Sequence, residues 1–193
     1  MSAAATNIEQ SATPEVPVSF AVRLIRVVVL LASGMAIAFS ATLHEQLGFD
    51  LGLTSAALGA IGIAHLIEWV SRRSTAPSVV PLIAGVVSVV AAIAVPLTGS
   101  AVGFAMTIAA WSLVSALLEF FGGVARPGSR PDALLLGFIG VLLAVLALLV
   151  REDQVAVLGF FGAYAVIAGV FLGISAFDAR RKAGAPASAD SDR

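Results

Sequence analysis

The chain contains no cysteine, which excludes a disulfide framework, a thiolate zinc site and a cysteine nucleophile. Charge is scarce too. Asp, Glu, Lys and Arg make up 12% of the residues, against about a quarter in an ordinary soluble domain. The formal net charge of −1 offers no basic surface for a nucleic acid, so no nucleic-acid partner is expected. Lysine is nearly absent: of the 11 cationic residues only Lys182 is not arginine. Motifs of catalysis are missing as well. "HEQLG" at 44–48 lacks the second histidine of a zincin, and no Walker loop, dinucleotide fingerprint or Gly-x-Ser-x-Gly elbow occurs. The residues therefore predict no enzyme, no cofactor and no metal site.

Apolar sequence is present in excess. The hydrophobic fraction is 59% and the mean hydropathy +1.02, more than one water-soluble core of 193 residues could hide. The lipid bilayer is the expected solvent. Six apolar runs stand out, at about 25–43, 52–71, 79–97, 101–124, 133–150 and 154–177. Each is near the length that crosses roughly 30 Å of hydrocarbon at about 1.5 Å per residue. The expected fold is an all-α integral membrane bundle of six transmembrane helices over residues 20–178. It is flanked by a disordered leader at 1–19 and a disordered tail at 179–193. Residues 1–15 carry no basic region ahead of an apolar stretch, so a cleaved signal peptide is not expected. Residues 16–26 ("VPVSFAVRLIR") read as the first turns of helix one with snorkelling arginines, or as a short interfacial lead-in.

Charge on the connections alternates. "HEQLGFD", "TGS" and "RED" hold Arg151 as their single cation, and the remaining ten cations lie on the other side. The positive-inside rule then predicts both termini in the cytoplasm of a bacterial inner membrane.

The even-numbered helices resemble one another. "AIGIAHLIEWVSRR", "AWSLVSALLEFFGGVAR" and "AYAVIAGVFLGISAFDARR" align with Glu119 51 residues after Glu68 and Leu172 53 after Glu119. This spacing suggests a hairpin of roughly 50 residues used three times, each hairpin opening at an outer turn. Small residues recur four apart along each even helix. They include Gly52, Ala56, Ala60 and Ala64 before Glu68, Gly103 and Ser115 before Glu119, and Gly169 and Gly173 in the sixth run. Such rows let helix backbones approach closely in lipid. They predict a compact bundle with surface left for self-association or for docking onto a larger membrane complex.

Three basic-ended hairpins, a bulky aromatic ahead of a small-residue row, and this length resemble the HdeD-like family of small bacterial inner-membrane proteins. The resemblance covers about residues 20–182 and implies a stress-linked role, in acid or envelope tolerance, with no catalytic motif to carry over.

The candidate working groups are His65, Glu68 and Glu119. His65 and Glu68 are three residues apart and share a helix face, and Arg72 is placed to pair with Glu68 four residues on. This reads as a protonatable relay or as a stabilised helix edge. Glu119 lies deeper, about 10 Å of rise from Arg126. A carboxylate there costs about 2.5–3.5 kcal/mol unless it is protonated or partnered. Ser112, Ser115 and the surroundings of Glu68 are the partners the sequence suggests, and a proton shared between Glu68 and Glu119 would follow if the repeat brings them together. A small proton-linked transporter or channel is the alternative functional reading, and a structural subunit of a larger complex a further one. Trp69 is expected at the interface, and Tyr164 within its helix.

Overall fold

The structure is a computed structural model that describes residues 19–44, 46–73, 78–125 and 130–183. Six helices follow in order: α1 Phe20–Phe39, α2 Leu47–Arg72, α3 Val80–Leu97, α4 Ala101–Ala125, α5 Arg130–Leu149 and α6 Gln154–Ala183. All six are long and apolar enough to cross a membrane. Residues 1–18 of the leader expected at 1–19, and residues 184–193 of the tail expected at 179–193, lie outside the described residues.

The helix ends follow local chemistry. Ser19 caps α1 by accepting from the Val22 amide, so the helix begins five residues before the apolar run predicted at 25. It stops at Phe39, where the Ser40 hydroxyl donates back to the Ala36 carbonyl at 2.7 Å, and a short 3₁₀ turn over Ala41–Leu43 leads on. Pro81 occupies the first turn of α3, where its missing N–H costs nothing, and Pro96 lies one residue from the other end. Gly99 takes φ +59 between α3 and α4, a left-handed conformation that suits glycine. Asp153 caps α6 by accepting from the Ala156 amide at 3.0 Å. α6 runs on to Ala183, past the predicted boundary at 178, because "DARRKA" has strong helix formers and no breaker.

The starts of α1, α3 and α5 and the ends of α2, α4 and α6 line one common cavity, so successive helices run in opposite directions. The end holding Arg23, Arg72, Arg73, Arg180 and Arg181 is called the basic end below. Every helix packs on its sequence neighbours, and α6 packs on α1 to close the ring. The most extensive contacts are α2 with α3, α4 with α5, and α6 with α1. The hairpins expected from the repeat, α1–α2, α3–α4 and α5–α6, are the looser neighbours.

The reason lies in the small residues. A Cβ on Gly62 of α2 would stand 2.8 Å from Val89 and 3.0 Å from the Gly85 carbonyl of α3. A Cβ on Gly34 of α1 would stand 2.9 Å from the Gly162 carbonyl of α6, and one on Gly169 would stand 2.8 Å from Leu31. Backbones touch at these places because nothing stands between them. Gly173 faces Val27 of α1 at 3.5 Å, and Ala64 is buried. Gly52 and Ala56 correct the expectation. Both are exposed, and a Cβ on Gly52 would meet nothing within 4 Å. The inward stripe of α2 instead follows Leu51, Thr54, Leu58, Ile61 and His65, and the small-residue row joins this face only at Ala64. Ala60 is half-buried at its margin. Gly103 meets only Thr98 and Ser100 of its own turn.

Gly62→Ala should therefore destabilise the bundle by about 1–3 kcal/mol through overpacking, read as reversible unfolding in mixed micelles. Gly52→Ala should stay within about 0.5 kcal/mol of wild type. Equal effects would contradict this assignment of the tight interface.

Candidate functional site

The bundle is solid in one half and hollow in the other. Leu58, Val95, Phe104, Ile108, Leu143, Val157, Leu158 and Phe161 are fully or almost fully buried, and they fill the half remote from the arginines. The basic half holds a partly open cavity of about 710 Å³ that all six helices line. Trp111 lies deep in it, buried, with its indole N–H donating to Ser88 of α3 at 2.9 Å. Its ring is edge-on to Phe161 and to Tyr164 of α6. Leu30 and Ile61 complete the apolar surround.

Above these aromatics sits a group of four charges. Arg26 of α1 donates through Nη2 to Glu119 of α4, and its Nη1 lies 3.8 Å from Glu68 of α2. Glu68 also accepts from Arg72 at 3.0 Å, one turn further along α2. Arg26 lies six residues inside α1 and Glu119 six residues inside α4, about 9 Å of rise each. The groups therefore meet at one level. Two guanidinium groups against two carboxylates make the cluster neutral, which offsets much of the desolvation cost of holding charge at this depth. The guanidinium suits the position because its two terminal nitrogens reach two different carboxylates.

The candidate residues are thus placed as follows. His65, Glu68, Ser115 and Glu119 all line the cavity. Glu68 takes Arg72 as the sequence suggested. Glu119 takes Arg26, a partner the sequence reading passed over, in place of Ser112 and Ser115. Ser112 donates to the Ala109 carbonyl of its own helix. The proton-sharing carboxylate pair gives way to two carboxylates facing one guanidinium. One signal for this was present. Arg26 lies four residues before Leu30 and eight before Gly34, on the buried stripe of α1 with Val27, Ser33 and Ile37. At the mouth, Ser175 of α6 donates to Asp132 of α5, and Phe20 packs edge-on against Phe177 beneath Arg180. Among the described residues no group of three or more His, Asp or Glu is arranged to hold a metal ion.

No protein-family model, curated protein or solved structure matches the chain.

Breaking a buried ion pair by removing one partner costs about 3–5 kcal/mol. Arg26 and Glu119 keep 21% and 25% of their side-chain surface exposed, which lowers the expectation for Arg26→Met to about 1–3 kcal/mol. Adding Glu119→Gln to Arg26→Met should recover part of that loss, because the stranded carboxylate disappears. A double-mutant cycle that shows no coupling would remove the pair from the account.

Proposed function

We propose that the chain is a multi-pass protein of the bacterial inner membrane that acts in acid or envelope stress tolerance without catalysing a reaction. Both termini lie in the cytoplasm in this reading. The resemblance to the HdeD-like family suggests the physiological setting, and the ten-to-one distribution of cations supports the orientation. The observation that carries the reading is the Arg26–Glu119–Glu68–Arg72 cluster in a cavity that opens at the basic end. The ion pairs join α1, α2 and α4 only while Glu119 and Glu68 are ionised. Their side chains are 25% and 15% exposed, so protons from that side can reach them. Protonating Glu119 removes its charge, strands part of Arg26, and loosens α1 from α4. Around this pair stand Arg23 on α1, His65 and Arg72 on α2, Asp132 on α5, and Tyr164 and Asp178 on α6. α3 contributes Val80, Pro81 and Ala84, none of which titrates.

The same cavity favours a second reading, a small proton-linked transporter or channel. It gathers His65, Glu68 and Glu119 into one water-reachable space, as a proton pathway through a membrane requires.

Acid survival of a deletion strain tests the first reading, with wild type or Glu119→Gln supplied at matched membrane levels. Wild type should restore survival, and Glu119→Gln, which cannot ionise, should not. Equal rescue by both would make the cluster structural. Proton flux in liposomes carrying wild type, lost in Glu119→Gln, would favour the transporter.

A further inference from the structure

The end of the bundle opposite the basic end holds a second polar assembly, independent of the cluster just described. His44 follows the 3₁₀ turn after α1 and is 6% exposed. Its Nδ1 lies 2.7 Å from Asp50 Oδ1 on the first turn of α2, and its Nε2 lies 2.9 Å from the Ile37 carbonyl of α1. The Gln154 amide of α6 donates to the His44 carbonyl at 3.4 Å. One histidine thus ties the ends of three helices together.

Proton counting sets the chemistry of this tie. A backbone carbonyl can only accept, so Nε2 must carry a hydrogen. Nδ1 then faces a carboxyl oxygen, and that contact needs one proton as well, held on either partner. The geometry is complete when the pair holds one shared proton beyond the one on Nε2, as imidazolium with carboxylate or as imidazole with carboxylic acid. Remove the shared proton and the neutral ring has one N–H for two acceptors, so a lone pair on one nitrogen must face the Ile37 carbonyl or the buried carboxylate. Add another and the carboxyl becomes neutral, which leaves a buried imidazolium with no counter-charge beside it. Asp50 is fully buried, and its Oδ2 and the nearby Thr54 Oγ1 have no hydrogen-bond partner among the described residues. The Gln154 amide and the Thr54 hydroxyl are the neighbouring donors, and neither can replace the shared proton between Nδ1 and Oδ1.

We propose that a proton shared between His44 and Asp50 latches this end of the bundle, and that gaining or losing a proton there releases the α1–α2 connection from α6. Uncharged groups surround the pair among the described residues. From α1 it meets the Ile37 carbonyl and the Ser40 hydroxyl, from α2 the Phe49 ring, and from α6 the Gln154 amide. Arg151, Glu152 and Asp153, in the turn before α6, are exposed to solvent.

Asp50→Asn separates this device from a merely structural contact. The Asn amide can donate to Nδ1 of the neutral ring, or turn its oxygen to accept from a protonated one, while Nε2–H still donates to Ile37, so both bonds survive in either state. The chain has no native cysteine, so spin labels at Ala41→Cys and Val155→Cys, both exposed positions, report the opening directly. Distances would be read on the full chain in nanodiscs from about pH 4 to about pH 10, spanning the ordinary carboxylate and imidazole ranges. Wild type should hold the short distance over a middle window, and the ratio of open to closed should rise about tenfold beyond at least one edge. Asp50→Asn should hold the short distance throughout, and His44→Ala should be open throughout. A flat wild-type profile, or the same pH profile in Asp50→Asn, would overturn the proposal. Nitrogen-15 spectra of the imidazoles add an independent reading, with His65→Gln removing the other histidine. A His44 Nε2 without a proton inside the middle window would overturn the proposal as well.

Discussion

Arg26 is the group on which the basic half of this molecule depends. In hydrocarbon a lone guanidinium or carboxylate is expensive, and α1, α2 and α4 each bring one or more charged groups to nearly the same depth. Separately, each would need to reach the headgroups or lose its charge. Together they satisfy one another, and the space between the helix ends stays open. An apolar filling of the same volume would hold the helices at least as firmly. Retaining four charges in a cavity is therefore a feature that stability alone does not require.

The small residues explain how such a cavity survives. Near Gly62, Gly34 and Gly169 the tight pairs α2–α3 and α6–α1 approach backbone to backbone, so the pairs are rigid. The neighbours α1–α2, α3–α4 and α5–α6 pack less extensively, and the bundle is solid in the closed half. There Phe104, Ile108, Leu158 and Phe161 fill the axis. At the basic end the same axis is left to polar groups, with Trp111 marking the change. Its indole is held by Ser88 and its ring by Phe161 and Tyr164, so the closed half ends on a fixed aromatic layer.

Length, hydropathy and charge alternation made the six spans legible in the sequence, because in lipid a helix must be both long and apolar. Boundaries were less legible where a cap or a polar helix former outweighed hydropathy, as at Ser19 and along "DARRKA". The Glu68–Arg72 pair was readable because both residues lie on one helix, four apart. The Arg26–Glu119 contact spans 93 positions and depends on which helices adjoin, a fact no local spacing encodes. His44 was read as the start of an outer loop, since the turn that carries it back onto Ile37 leaves no periodic trace. The exposed Gly52 and Ala56 show the limit of small-residue rows. A four-residue spacing marks a possible close approach but does not say which side of the helix uses it.

The packing groups the helices differently from the expected repeat. Its tight units are α2 with α3, α4 with α5, and α6 with α1, so the first helix of the chain completes the last unit. Glu68, Glu119 and Leu172, the three equivalent positions of the even helices, all line the cavity. Three carboxylates there would exceed the two guanidinium groups, Arg26 and Arg72, that balance the cluster. The third unit instead places leucine at that position and supplies Arg26 from its other helix. Leucine rather than a third carboxylate at 172 thus keeps the cluster neutral, and it stands in the helix pair that joins the two ends of the chain's helical ring. A change that restored the symmetry at position 172 would add a charge the cluster has no means to balance.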